Sequence, residues 1–274
     1  MSRKLISAFV VSCTVFCSWY LIAEETSSDT RRATAFKHQN EGNFRDAYEI
    51  FRKLSLNEAT DPKKVGADLR EGVQALQRLN RVAEIDPYLT EFVDLHQDNW
   101  RALTSAAQAI RSTPHYGTII AQEYERGNQR GGGEWVSSEK RDRAQALIWL
   151  NDARKLITKD DETAAAHEVA GLYRQLSSIL MDRGYGRNSW KLQLLTDFET
   201  LPDYEDNTVY YGRQNVPLGA PVDAEGNPVY YQLPASFTAA KNDGERYRWC
   251  LTEIVRITPS AKWQMKTTWA NFLE

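Results

Sequence analysis

His167 and Glu168 stand side by side in a stretch of helical periodicity, which is how the metal-binding helix of a zinc protease begins. That chemistry needs a second histidine one helical turn on, so that two imidazoles share the metal from one face. The position it would occupy is Gly171, and His38, His96 and His115 fall in three separate stretches. They read as surface or helix-end residues, and no metal is expected. The run Gly127 to Gly133 suggests a phosphate cradle, but it lacks the Lys-Ser or Lys-Thr that completes one, so it reads as a flexible insertion. Asp160-Asp161-Glu162 and Asp203-Tyr204-Glu205-Asp206 are acidic enough for calcium yet lack the alternating ligand spacing of a calcium loop. They read as solvated turns. No Gly-x-Ser-x-Gly elbow presents a serine nucleophile. Cys250 sits within an apolar helical pattern and reads as a small buried side chain, not a reactive thiol. Residue types and spacing therefore predict no catalytic residue, no cofactor and no metal: the chain reads as a non-enzyme.

The elements that could carry such residues follow from composition and periodicity. The 274 residues are 42% hydrophobic and 11% aromatic, which excludes wholesale disorder and allows one large domain or two small ones. A formal net charge of -3 leaves no excess of Lys and Arg to neutralise phosphates, so nucleic acid is not expected as a partner. Residues 1–23 have the form of an export signal: Arg3 and Lys4, an apolar run from Leu5 to Ala23, then Glu24 and Glu25. Three outcomes stay open, namely cleavage near Ala23, retention as a membrane anchor, and lipidation at Cys13 within Val10-Val11-Ser12-Cys13. Each places the protein outside the cytoplasm, in the periplasm, at the cell surface or secreted. Membrane contact is expected only through that N-terminus. With Cys13 and Cys17 inside the signal, a cleaved chain keeps Cys250 alone and forms no internal disulfide.

From residue 24 to about 200 the apolar spacing is helical and paired. Ala33–His38 and Phe44–Leu56 flank the turn Gly42-Asn43, with Ala47, Tyr48, Phe51 and Leu54 on one face. Leu69, Val73, Leu76 and Leu79 mark the next helix, and Asn80-Arg81 turns into Val82–His96, where Pro87 suggests a true start capped by Asp86. Trp100–Ser112, Tyr116–Tyr124, Arg143–Ile157 and Ala164–Met181 continue the series, with Gly184 as a terminator. Pro202, Pro217, Pro221, Pro228 and Pro234 then mark residues 201–274 as a proline- and tyrosine-rich arm. It holds a small hairpin about Ala224-Glu225-Gly226-Asn227 and a helix at Glu245–Thr258, opened by an Asn242–Glu245 capping box.

Gly42-Asn43-Phe44-Arg45-Asp46-Ala47, with Ala35 before it and Phe51 after it, resembles a tetratricopeptide repeat. Small Ala35 and Ala47 let two helices approach, and Phe51 wedges against the next pair. The second unit departs from the pattern, with Asn80 for the turn glycine and Ile85 for the packing alanine. The fold class read from this is mostly α: degenerate tetratricopeptide-like helical hairpins forming an α-solenoid, then the Pro-rich arm with its β-hairpin and terminal helices.

A broader resemblance rests on His115-Tyr116-Gly117, Arg130-Gly131-Gly132-Gly133, Leu201-Pro202-Asp203-Tyr204, Gly219-Ala220-Pro221-Val222-Asp223, Gly226-Asn227-Pro228-Val229-Tyr230-Tyr231 and Asp243-Gly244-Glu245-Arg246. These blocks look like the N-terminal helical region of planctomycete-type bacterial alpha-2-macroglobulin-like proteins. The resemblance implies an exported protease inhibitor in which this region precedes β-sandwich domains, and hence a fragment of a longer molecule. The thioester motif of many such proteins, Cys-x-Glu-Gln, is not matched by Cys250-Leu251-Thr252-Glu253. Partners are then proteins, either the following domains or a protease or peptide target. The alternative is a free-standing periplasmic adaptor of helical repeats. Trp263, Trp269, Phe272 and Leu273 put large apolar groups in the last residues, which fits truncation. Tyr210, Tyr211, Tyr230, Tyr231, Trp263 and Trp269 are the candidate interface residues, because Tyr and Trp are enriched where proteins meet.

Overall fold

The computed structural model describes residues 27–128, 132–181, 192–206, 222–227 and 230–273. The signal at 1–23, Gly184, Tyr210 and Tyr211 lie outside the described residues. The protein is mostly α, and it divides into two compact units, the first ending at His96 and the second beginning at Gln97. No described helix is long and apolar enough to cross a membrane.

The first unit is two helical hairpins. Helix α1 covers 27–40 and α2 covers Phe44–Ser55. Between them Gly42 takes φ +81°, while Asn43 N–H reaches back to the His38 carbonyl and Gly42 N–H to that of Gln39. That double bond closes a helix end, and it needs the left-handed backbone that glycine adopts without a steric cost. The second hairpin joins α3 (Val65–Arg78) to a 3-10 turn at Val82–Glu84 and α4 (Ile85–Leu95). Asn80 stands at φ 55° in the place Gly42 holds in the first, with Arg81 N–H bonded to the Leu76 carbonyl. Asparagine is among the few other residues that tolerate this conformation, so the turn survives the substitution. The expected cap at Asp86 is not found. The helix starts two residues earlier, at Ile85, which leaves Asp86 and Pro87 in its first turn, where a missing N–H costs nothing.

The second unit is a row of helices. Helix α5 (Trp100–Arg111) packs on α6 (Glu139–Leu156), α6 on α8 (Ala166–Met181), and α8 on α9 (Asp243–Ile257); α7 (Lys159–Ala164) is short, and α10 (Lys262–Leu273) closes against α9. Alanines 102, 106 and 107 of α5 and 144, 146 and 153 of α6 are buried, and side chains that small let packed helices approach closely.

Between α5 and α6 lies a sheet where a helix over Tyr116–Tyr124 was expected. Strands β1 (Tyr116–Ile120), β2 (Glu123–Arg126) and β3 (Glu134–Ser137), with the two-residue β4 (Glu205–Asp206), pair antiparallel in the order β2-β1-β3-β4. Thr118, Ile119 and Ile120 are β-branched, and the polar and aromatic residues of β2 alternate, so strand propensity overrides the helical spacing. The β1–β2 turn is Ala121-Gln122, both at positive φ (51° and 70°), a mirror-image two-residue turn built without its usual Asn-Gly. Gly117 is required by packing: a Cβ there would lie 2.3 Å from the Glu125 carbonyl and 2.5 Å from the Tyr124 ring. In the arm the expected turn is present, with Asp223 N–H bonded to the Asn227 carbonyl and Gly226 at φ +84°.

Candidate functional site

Of the repeat-packing residues, Ala35, Ala47 and Phe51 come together as a fully buried cluster with Ile50 against it. Phe36 meets the Phe51 ring edge-on at 5.2 Å. Gly42 makes the turn described above, and Phe44 is half-buried at the start of α2. The arrangement is a contact between helices and carries no reactive group.

The candidate interface residues separate. Trp263 is 74% exposed and Tyr230 is also exposed, whereas Tyr231 is buried under the first turn of α9. A Cβ on Gly244 would stand 2.4 Å from the Tyr231 ring, so this glycine is what admits the ring. Trp269 is half-buried against Tyr247, with the Arg248 guanidinium 5.0 Å from its ring centre. Tyr231 and Trp269 are thus packing residues of the fold, and only Tyr230 and Trp263 of the described four face outward.

Sequence reasoning missed a buried polar cluster at the sheet–helix junction. Arg126, 1% exposed, donates from Nη1 and Nη2 to the two Asp142 carboxylate oxygens at 2.8 and 2.9 Å, and from Nη1 to the Pro114 carbonyl at 2.6 Å. His115 Nδ1 and Ser138 Oγ each lie 2.8 Å from Asp142 Oδ2. Beside them Arg111, at the end of α5, donates to Glu139, at the start of α6. Burial alone would raise the Asp142 carboxyl, but the Arg126, His115 and Ser138 contacts outweigh it and hold the group below its ordinary range. Ser138, His115 and Asp142 are the residue types of a nucleophilic triad in another order. In a triad the histidine stands between serine and aspartate and takes the serine proton. Here both groups turn to the same carboxylate oxygen, and Arg126 neutralises it. The cluster fastens the sheet to α6. An alternating Glu-Tyr-Glu-Arg strand was its only signal.

A second fastening network ties the arm to the helices. Asp243 accepts from Thr196 N–H and Oγ1 and from Arg246, and Arg246 donates to the Thr196 carbonyl at 2.7 Å. Arg143 of α6 donates to the Ile179 and Leu180 carbonyls, capping the end of α8. Glu245 Oε2 accepts from Lys241 N–H, and Asn242 accepts from Glu245 N–H, so the expected capping box forms with Lys241 in place of the Asn242 amide. Arg246 and Arg154 both lie on the Phe237 ring, which stacks on Phe198. Arg141 donates to the Pro202 carbonyl and covers Tyr204, which stacks on Tyr124.

The acidic runs expected as solvated turns instead fall in the first turn of α7 and at β4, and their carboxylates are engaged. Asp161 closes a capping box with Thr158 at the start of α7, and Glu162 pairs with Arg256 of α9. Glu168 accepts from Arg101 at 2.6 Å, and Glu205 pairs with Lys140. Burial pushes the Cys250 thiol far up, which leaves it a packing residue of α9. Among the described residues no group of three His, Cys, Asp or Glu side chains could hold a metal. No family model matches the chain, and neither a curated protein nor a solved structure is similar to it.

Proposed function

We propose that the protein is a non-catalytic helical-repeat scaffold, the N-terminal module of an exported alpha-2-macroglobulin-like protease inhibitor, acting through contacts with other proteins. One observation carries this reading. The residues with reactive side chains, Ser138, His115 and Asp142 at one junction and Asp243, Arg246 and Thr196 at the other, turn their polar atoms onto one another. Three of the blocks that carry the family resemblance have the same use. His115-Tyr116-Gly117, Leu201-Pro202-Asp203-Tyr204 and Asp243-Gly244-Glu245-Arg246 supply the fastening of sheet and arm, work that a scaffold requires and an active site does not. The first hairpin, with Ala35, Ala47 and Phe51 in contact, supports the repeat reading within that proposal.

The test is a blot of native periplasmic, envelope and secreted fractions with an antibody against Arg143–Met181. A band far above 31.4 kDa in an exported fraction that also captures an added protease is the expected result. A band at or just below 31.4 kDa would overturn the inhibitor reading in favour of a free-standing adaptor, and recovery in the cytoplasm would overturn export.

A further inference from the structure

His115 stands between two carboxylates. Its Nδ1 lies 2.8 Å from Asp142 Oδ2, and its Nε2, across the ring, lies 3.3 Å from Glu139 Oε2. Nε2 is buried and completes no hydrogen bond in this arrangement. The main chain is held as well: the His115 carbonyl accepts from Ser138 N–H at 3.0 Å and from Ser137 Oγ at 3.4 Å, at the head of β1 and the start of α6. Among the described residues the charged groups around the ring are four. Arg111 at the end of α5 donates to Glu139, Arg126 of β2 donates to Asp142, and both carboxylates belong to the first turn of α6.

A neutral imidazole has one N–H and one lone pair, and an ionised carboxylate only accepts. Either neutral tautomer therefore sets a lone pair against a carboxylate oxygen inside the junction. Only the imidazolium donates to both.

We propose that His115 is a proton-operated latch: with both ring nitrogens protonated it bridges Asp142 and Glu139 and locks the head of β1 onto α6, and loss of the proton loosens that junction. Histidine is the side chain whose charge ordinarily changes between about pH 5 and 8, so the latch works in that range. A proton held more tightly by the closed junction than by the open one favours closure as pH falls, and that contribution is lost as pH rises. Arg111 and Arg126 oppose a further positive charge, but each is committed to one of the same carboxylates. The gain is thus that of one charge-assisted hydrogen bond, about tenfold in the closing equilibrium. The latch does not depend on the protease-inhibitor reading.

The experiment uses the full chain and two readouts. Nitrogen-15 NMR of the His115 ring should show both nitrogens protonated at about pH 7, where an ordinary imidazole is mostly neutral. Hydrogen exchange of the Ser138 amide, corrected for the intrinsic effect of pH, should show opening about fivefold more frequent at about pH 8.5 than at about pH 6. Glu139→Gln offers an amide N–H to the neutral ring, while its oxygen still accepts from Arg111, so it should cut that ratio below about twofold. A single protonated ring nitrogen at about pH 7, equal opening at the two pH values, or an undiminished ratio in Glu139→Gln would each overturn the proposal.

Discussion

The first hairpin and the sheet–helix junction solve the same problem, bringing distant segments together, with opposite materials. In the hairpin Ala35, Ala47 and Phe51 meet with no polar atom between them. At the junction Arg126, Asp142 and Ser138 are buried, His115 is half-buried beside them, and Asp142 bonds all three. Apolar packing tolerates imprecision, since a methyl group has no preferred direction. A buried ion pair does not: its desolvation is offset only while every donor and acceptor stays aligned. The junction should therefore fail abruptly and the hairpin gradually.

Arg126→Met sets the largest expected effect. It leaves the Asp142 carboxylate buried without its guanidinium, which costs about 3–5 kcal/mol. Every tryptophan after Trp19 lies beyond residue 97, so urea unfolding of a chain lacking residues 1–23, followed by tryptophan fluorescence, reads the second unit alone. The double variant Arg126→Met/Asp142→Leu should regain most of the loss, because an apolar pair of similar bulk carries no stranded charge. A loss below about 1 kcal/mol in the single variant would mean that water reaches Asp142, and the contrast with the hairpin would vanish. On the other side of the comparison, Ala47→Leu overpacks the α1–α2 contact and should cost about 1–3 kcal/mol. With no tryptophan between residues 27 and 96, the measurement is amide hydrogen exchange over α1 and α2. Slower exchange in the variant would contradict close approach at Ala47.

The same contrast explains what could be read in advance. The periodicity of Ala47, Phe51 and Leu54 and the glycine at the turn express the hairpin directly, because helix packing is a matter of spacing. Helices α5, α6, α8 and α9 were legible for the same reason. The sheet was not. Its β1–β2 turn uses Ala121-Gln122 in place of the Asn-Gly that announces such a turn, and its key contact joins Arg126 to Asp142 across the β3 strand and a helix cap. Nothing local in either residue signals the other. Among the interface candidates, residue type did not give direction: Tyr231 turns inward because Gly244 leaves room, while its neighbour Tyr230 turns out.

Acid sharpens the comparison at intermediate cost. The Arg256 pair holds Glu162 at about 2 against an ordinary 4.5, and Asp142 is also held below its ordinary 3.8. A carboxylate whose folded value is depressed stabilises the fold above its unfolded value, and that contribution is lost as pH falls through the folded one. The Tm of the second unit should therefore fall from about pH 4.5 toward 2. The loss should be smaller than in Arg126→Met, since a protonated Asp142 still makes hydrogen bonds. Asp142→Asn should start lower at neutral pH and fall less steeply, and Arg256→Gln should flatten the Glu162 share. Parallel Tm curves for wild type and both variants would refute this assignment.

The smallest effect is a gain. Ala121 and Gln122 are exposed and hold left-handed backbone, a conformation that costs a side-chain-bearing residue about 1–2 kcal/mol. Ala121→Asn with Gln122→Gly supplies the residues this turn favours and removes no buried contact. Part of the relief is cancelled, because glycine also frees the unfolded chain. The net should be a stabilisation of about 1 kcal/mol in the tryptophan-monitored transition. Strain at the turn would then be separable from the ion pair that anchors the other end of β2: the gain should persist in the Arg126→Met background. If it disappears there, the turn and the buried pair form one cooperative unit, and the junction reaches further into the sheet than Asp142.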